Sequence, residues 1–151
     1  MRHLTISVDD ELADTFDRLV EDKGYASRSE AFRDLLRGAL GQKQLVDGKA
    51  KHCVGALSYV YNHHERQLAR RLTSLQHDHH DLTVSTMHAH LDHDNCIETV
   101  ILRGPTDKVI EFAQSVMAQS GVRHGTFHPI PIEIDPLDLK KHSHVHARPQ
   151  T

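Results

Sequence analysis

Within residues 2–8, polar and apolar positions alternate from His3 to Val8. Leu4, Ile6 and Val8 fall on one face of an extended chain and His3, Thr5 and Ser7 on the other, which predicts a half-buried strand. Asp9 or Asp10 can cap a following helix. Leu12, Phe16, Leu19 and Val20 then recur at helical spacing to about Lys23, with Gly24 as the stop. Ser27 and Glu30 stand three apart, as in a capping box. A second apolar stripe follows, Ala31, Phe32, Leu35, Leu36, Ala39 and Leu40, ending near Gly41. One strand and two helices in about 40 residues bury too little surface to stand alone, and a lone strand has no ladder partner. Two copies whose strands pair antiparallel solve both problems. The paired ribbon then presents His3, Thr5 and Ser7 twice on one exposed face.

Residues 42–52 are polar and contain Gly48, which reads as the tail of the second helix and a linker. Beyond them the pattern changes. Residues 53–61 form a strand, and Asn62 with Glu65 opens a helix with Leu68, Leu72 and Leu75 on its stripe. Residues 82–92 and 96–103 are strands around a short Asp/His/Asn turn. Gly104 and Pro105 lead into a helix bearing Val109, Phe112, Ala113 and Val116, stopped by Gly121. Residues 127–134 are a last strand, placed at an edge by Pro129 and Pro131. The order β-α-β-β-α-β is the ferredoxin-like arrangement. The predicted class is therefore α+β. Residues 1–47 form a β-α-α head that dimerises, 48–52 a linker, 53–134 the second domain, and 135–151 a flexible tail.

Composition changes this picture at one point. The 151 residues, 38% hydrophobic and 26% charged, are those of globular domains. No apolar run approaches the roughly 20 residues of a membrane span. Acids follow the first strand where a signal peptide needs its apolar region, so a cytoplasmic location is expected. Two cysteines make no disulfide scaffold. The 15 histidines are out of line, because histidine ligates metals and titrates near neutrality. The net charge of −3 lies entirely in residues 1–47, so DNA binding has to rest on where individual charges sit.

The histidines concentrate between His77 and Cys96. On a strand, Met87, Ala89 and Leu91 share one face, expected against the helices. His88 and His90 share the other, expected to be open. Cys96 begins the neighbouring strand just past the turn, so its sulfur can lie beside them. Two imidazoles and a thiolate make a three-donor metal platform, open to a fourth donor from a facing subunit. His77, His79, His80 and His93 are near in sequence. Asp78, Asp81, Asp92 and Asp94 read as turn and cap residues, and Cys53 as a small core residue. Tetrahedral Cys/His sets suit zinc, and planar fields suit Ni(II) or Cu(II). No Gly-rich phosphate loop, nucleophile elbow or His-Glu-x-x-His helix is present, so no enzymatic activity is expected.

Five motifs make the chain resemble the NikR family of nickel-responsive regulators over residues 1–133 or so. They are Gly24–Asp34 (GYASRSEAFRD), Leu57–Tyr61 (LSYVY), Gln76–Leu82 (QHDHHDL), His88–Cys96 (HAHLDHDNC) and Gly121–Gly125 (GVRHG). The resemblance implies a homotetramer, a dimer of dimers, with a core of ACT-type domains flanked by two ribbon-helix-helix dimers. It implies Ni(2+) in a square-planar site, with His88, His90 and Cys96 from one subunit and His77 from another. It also implies a second cation, often K(+), beside Glu30 and Asp34, and a major-groove surface made of His3, Thr5 and Ser7. His3 departs from the family, which usually has a basic residue there. The tail, with His142, His144 and His146, lies outside the family pattern.

The expected function is repression of nickel-uptake genes, with metal enabling binding to a palindromic operator in double-stranded DNA. Arg28, Arg33 and the N-terminus of the second helix are the expected phosphate contacts. The alternative is a regulator of the same build that senses copper, zinc or a small molecule through its ACT domain.

Overall fold

In a computed structural model, the structure describes residues 3–134 and 147–150. The chain divides into two compact units, Met1–Leu40 and Gly41–Thr151.

The first unit holds helix α1 (Asp10–Asp22) and most of helix α2 (Arg28–Val46). Asp9 caps α1, its Oδ1 accepting from Leu12 N at 2.8 Å, and Ser27 Oγ accepts from Glu30 N at 3.2 Å. Both caps fall where the side-chain pattern placed them. The apolar stripe of α2 ends near Gly41 and the helix runs on through its polar tail to Val46; Leu45, in the part that belongs to the second unit, packs against that unit's core. That packing outweighs the roughly 1 kcal/mol a helical glycine costs relative to alanine. Residues 3–9 form no strand in the single chain. A strand exists only with a ladder partner, and here none is in reach. Leu4, Ile6, Val8, Leu12, Leu35, Leu36 and Leu40 are accordingly all exposed.

The second unit is one antiparallel sheet with helices on one face. In chain order it holds β1 (His52–Asn62), α3 (Arg66–Asp78), β2 (Thr83–His90), β3 (Asn95–Pro105), α4 (Thr106–Met117), β4 (Arg123–Ile134) and β5 (Ala147–Pro149). The strands lie in the order β2-β3-β1-β4-β5. The first four give the ferredoxin-like arrangement read from the sequence. Leu57 and Tyr59 of β1 and Val100 and Leu102 of β3 pack with Leu68 and Leu72 of α3 and with Val109, Phe112, Ala113 and Val116 of α4. The last four stand at i, i+3, i+4 and i+7, so a helix brings them to one stripe. Cys53 is fully buried in this core, as expected.

Strand β4 carries its prolines without losing its pairing to β1. Pro131 C=O accepts from Gln150 N, on the side away from β1, so the missing Pro131 N–H also faces away. Three residues of the expected tail, Ala147–Pro149, instead pair with Ile132–Ile134, so β4 is not the edge strand expected from its prolines. His142, His144 and His146 lie outside the described residues. Among the described residues no helix is long and apolar enough to cross a membrane.

Candidate metal centre and nucleic-acid interface

Strands β1 and β3 bury alternate residues, Cys53, Leu57, Tyr59 and Tyr61 on one and Cys96, Glu98, Val100 and Leu102 on the other. Opposed residues of an antiparallel pair share a face. The register sets His88 opposite Glu98 and His90 opposite Cys96. His88, His90 and Cys96 therefore share a face. It is the helix-covered face, not the open one expected from sequence. Met87 and Leu91, expected against the helices, are 69% and 56% exposed. Strand β3 is apolar on both sides, Ile97 and Ile101 against Val100 and Leu102, so alternation in β2 alone could not say which side faces the helices. Strand β2 is also the sheet edge, where His88 and His90 stay exposed at the rim of the helix layer.

The His88 and His90 rings stand edge-on at 5.1 Å between centroids. The His63 ring is 5.0 Å from His90. Cys96 is fully buried, its Sγ donating to Tyr61 C=O at 3.4 Å, and burial pushes the thiol pKa up. It is a protonated thiol at neutral pH, and a metal must replace that proton.

Beside it lies a network the sequence reading missed. Glu98, only 7% exposed, accepts from Tyr59 Oη at 2.5 Å, Tyr61 Oη at 3.2 Å and Gln76 Nε2 at 2.5 Å. Desolvation, and then Glu98 itself, push both phenols above their ordinary range. His88 Nδ1 sits 3.4 Å from Glu98 Oε2. A proton on Nδ1 leaves Nε2 as the lone-pair donor, the usual way a carboxylate fixes the tautomer of a ligating histidine. The signal available in the sequence was a glutamate in phase with Cys96, Val100 and Leu102.

The other histidines fall elsewhere. His77 is exposed in the last turn of α3, where it lines an open groove with Arg70, Thr73 and Ser74. His79 packs on Phe112 at 4.9 Å, its Nδ1 facing Leu75 C=O at 3.0 Å. His80 Nδ1 lies 3.1 Å from His77 C=O. His93 contributes its carbonyl, 2.9 Å from His64 Nε2. Among the described residues no group of three or more His, Cys, Asp or Glu side chains is placed to hold a metal ion within the chain. The two imidazoles and the thiol that share this face are a nitrogen–sulfur set whose chemistry suits Ni(II), Cu(II) or Zn(II). Asp92 behaves as the turn residue expected. It accepts from Asp94 N, Asn95 N and Asn95 Nδ2, and the bonds from Asn95 lead in holding its carboxyl below the usual range.

In the first unit His3, Thr5 and Ser7 are exposed, in phase with one another. The Arg28 guanidinium is paired with Asp17 through two hydrogen bonds, which lowers the Asp17 pKa and raises that of Arg28. Arg33 is exposed. Glu30 and Asp34 lie four apart on α2, and Asp34 Oδ2 accepts from Tyr25 Oη at 2.5 Å.

Comparison with known proteins matches both units. Residues 54–130 match the NikR C-terminal nickel-binding domain, and residues 2–43 match the ribbon-helix-helix proteins of the copG family. A putative nickel-responsive regulator of Brucella ovis is 49% identical over 132 residues, covering 87% of this chain and all of that protein. A nickel-responsive regulator of Brucella abortus is matched to the same extent. One of Brucella melitensis is 48% identical over the same lengths.

Proposed function

Because the chain belongs to the NikR family, with both its head and its core matched, we propose that it is a nickel-responsive, DNA-binding transcriptional regulator that represses nickel-uptake genes from the cytoplasm. The observation that carries this reading is the register that sets His90 opposite Cys96 with His88 on the same face, at an exposed rim. His88, His90 and Cys96 would hold Ni(2+) from one subunit and His77 from another. The exposure of His77 on the outer side of α3 supports that division. Glu98 holds the His88 tautomer. When bound, the metal would join donors of two subunits. A site completed only in the assembled core has the differential affinity that a switch requires.

The exposed apolar side chains of the first unit support a paired ribbon. Leu4, Ile6 and Val8 would face the helices of the dimer, and His3, Thr5 and Ser7 the major groove of a palindromic operator. Arg33 is available to phosphate. Arg28 would reach phosphate by exchanging its Asp17 partner, a surface ion pair of the kind that is worth little. Glu30 and Asp34 would share K(+). The assembly is a homotetramer, two head dimers on one core, and the exposed Met87 and Leu91 face supports association through the sheet.

The test is selection of duplexes from a random pool by the protein with Ni(II) and with chelator. Nickel-dependent enrichment of a palindrome is the expected result. A retained pool indifferent to nickel would sink the proposal. On the enriched duplex, Thr5→Ala and Ser7→Ala should each cost about 1–3 kcal/mol per lost base contact and leave nickel affinity unchanged.

A further inference from the structure

The motif Gly121–Gly125 (GVRHG) has no part in the proposed ligand set, yet the structure constrains four of its five residues. Gly121 has φ +94, and a Cβ there would meet Leu68 at 2.7 Å; a Cβ on Gly125 would meet Met117 at 2.7 Å. His124 stands at φ 51, in the left-handed region that a non-glycine residue rarely adopts. It lies in a bulge. Ser58 pairs with Thr126 and Val60 with Arg123, so three steps along β4 match two along β1. A bulge re-aims a side chain. Without the extra residue Arg123 would stand opposite Tyr61, on the helix-covered face. With it, Arg123 stands opposite Val60, on the open face.

Asn95 is on that same open face, paired with Asn62. The Arg123 guanidinium reaches across β1 and donates to Asn95 Oδ1. The other end of the Asn95 amide donates to Asp92 Oδ2 at 2.9 Å, and Asn95 C=O accepts from Leu91 N at 2.9 Å. The whole turn between His90 and Cys96 is thus tied to β4 through one residue, and Cys96 is the next residue in the chain.

We propose that Arg123 is a positioning residue for the metal site. Through Asn95 it fixes the turn between His90 and Cys96 from the opposite face of the sheet, and so the spacing of imidazole and thiolate. This rests on the ligand set proposed above. Partners that orient metal ligands typically contribute about 10- to 100-fold in affinity. Arg123→Ala and Asn95→Ala should therefore each weaken nickel binding, measured against a competing chelator, by at least about 10-fold. Both should shift the position of the thiolate-to-nickel absorption band at saturating nickel, a readout that simple loss of fold stability does not move. The double variant should be no worse than either single one, because both changes break the same link. Arg123→Lys, which keeps the charge and a donor, should recover part of the affinity, and it carries the test if the alanine variant does not fold.

Wild-type affinity and an unaltered band in Arg123→Ala, or additive losses in the double variant, would overturn the inference while leaving the ligand set standing. If the wild-type protein retains no nickel, or Cys96→Ala retains it unchanged, the ligand set fails and the inference with it.

Discussion

Cys96→Ala should abolish tight nickel binding, and Cys53→Ala should leave it nearly intact. On the proposed ligand set Cys96 is the only soft, anionic donor, and without it only imidazoles remain. The loss should exceed the roughly 10- to 100-fold that removing a ligand's supporting partner costs. Both thiols are fully buried, and burial raises both pKa values, so exposure and acidity do not distinguish them. What distinguishes them is position. Cys96 stands opposite His90 at one end of β3, whereas Cys53 stands opposite Gly104 at the far end of the β1–β3 ladder. Cys53→Ala should cost about 1 kcal/mol of stability, the usual scale for a small core truncation. Equilibrium dialysis of both variants against nickel, with thermal melts alongside, decides the matter. Nickel lost from the Cys53 variant and kept by the Cys96 variant would place the site at the wrong end of the sheet.

His77→Ala should keep some nickel, held more weakly, and lose most nickel-dependent DNA binding, because one chain retains three donors while the bridge between subunits is gone. Complementation makes the larger and sharper effect. Subunits carrying His77→Ala, mixed with subunits carrying both His88→Ala and His90→Ala, should regain native sites under conditions of subunit exchange. Each supplies what the other lacks. Nickel retained by the mixture should exceed that of either variant alone, and its absorption band should return. If exchanged mixtures never regain the band, the ligands come from a single chain and the bridging switch is wrong.

Local chemistry was the most legible part of the fold. The caps at Asp9 and Ser27, the stripe of α4 and the core place of Cys53 follow from side chains acting on their own neighbours. The shared face of His88, His90 and Cys96 was legible for the same reason, since period two and a short turn decide it. Which side of the sheet that face belongs to was not. It depends on where α3 and α4 settle, and β3 has apolar residues on both sides. The Glu98 network was hidden because its members, Tyr59, Tyr61, Gln76 and Glu98, come from three elements that meet only in the folded chain. The part played by Arg123 was hidden by the bulge, because an extra residue reverses the alternation from which its face would be read. Residues 3–9 show the converse. Their pattern was plain, but a strand also needs a second chain.

The outer margin of β4 bears on solubility. Pro129 has no N–H to offer, Pro131 C=O is taken by Gln150, and Ile132–Ile134 are matched with Ala147–Pro149. An uncovered strand margin is a template on which any extended peptide can add itself, the first step toward open-ended aggregates. Along this margin the chain covers the template with Ala147–Pro149, leaving as the edge a strand of three residues that ends in proline. Deleting residues 147–151 would reopen it, and the cost would show less in the melting temperature than in the concentration the protein tolerates before it precipitates.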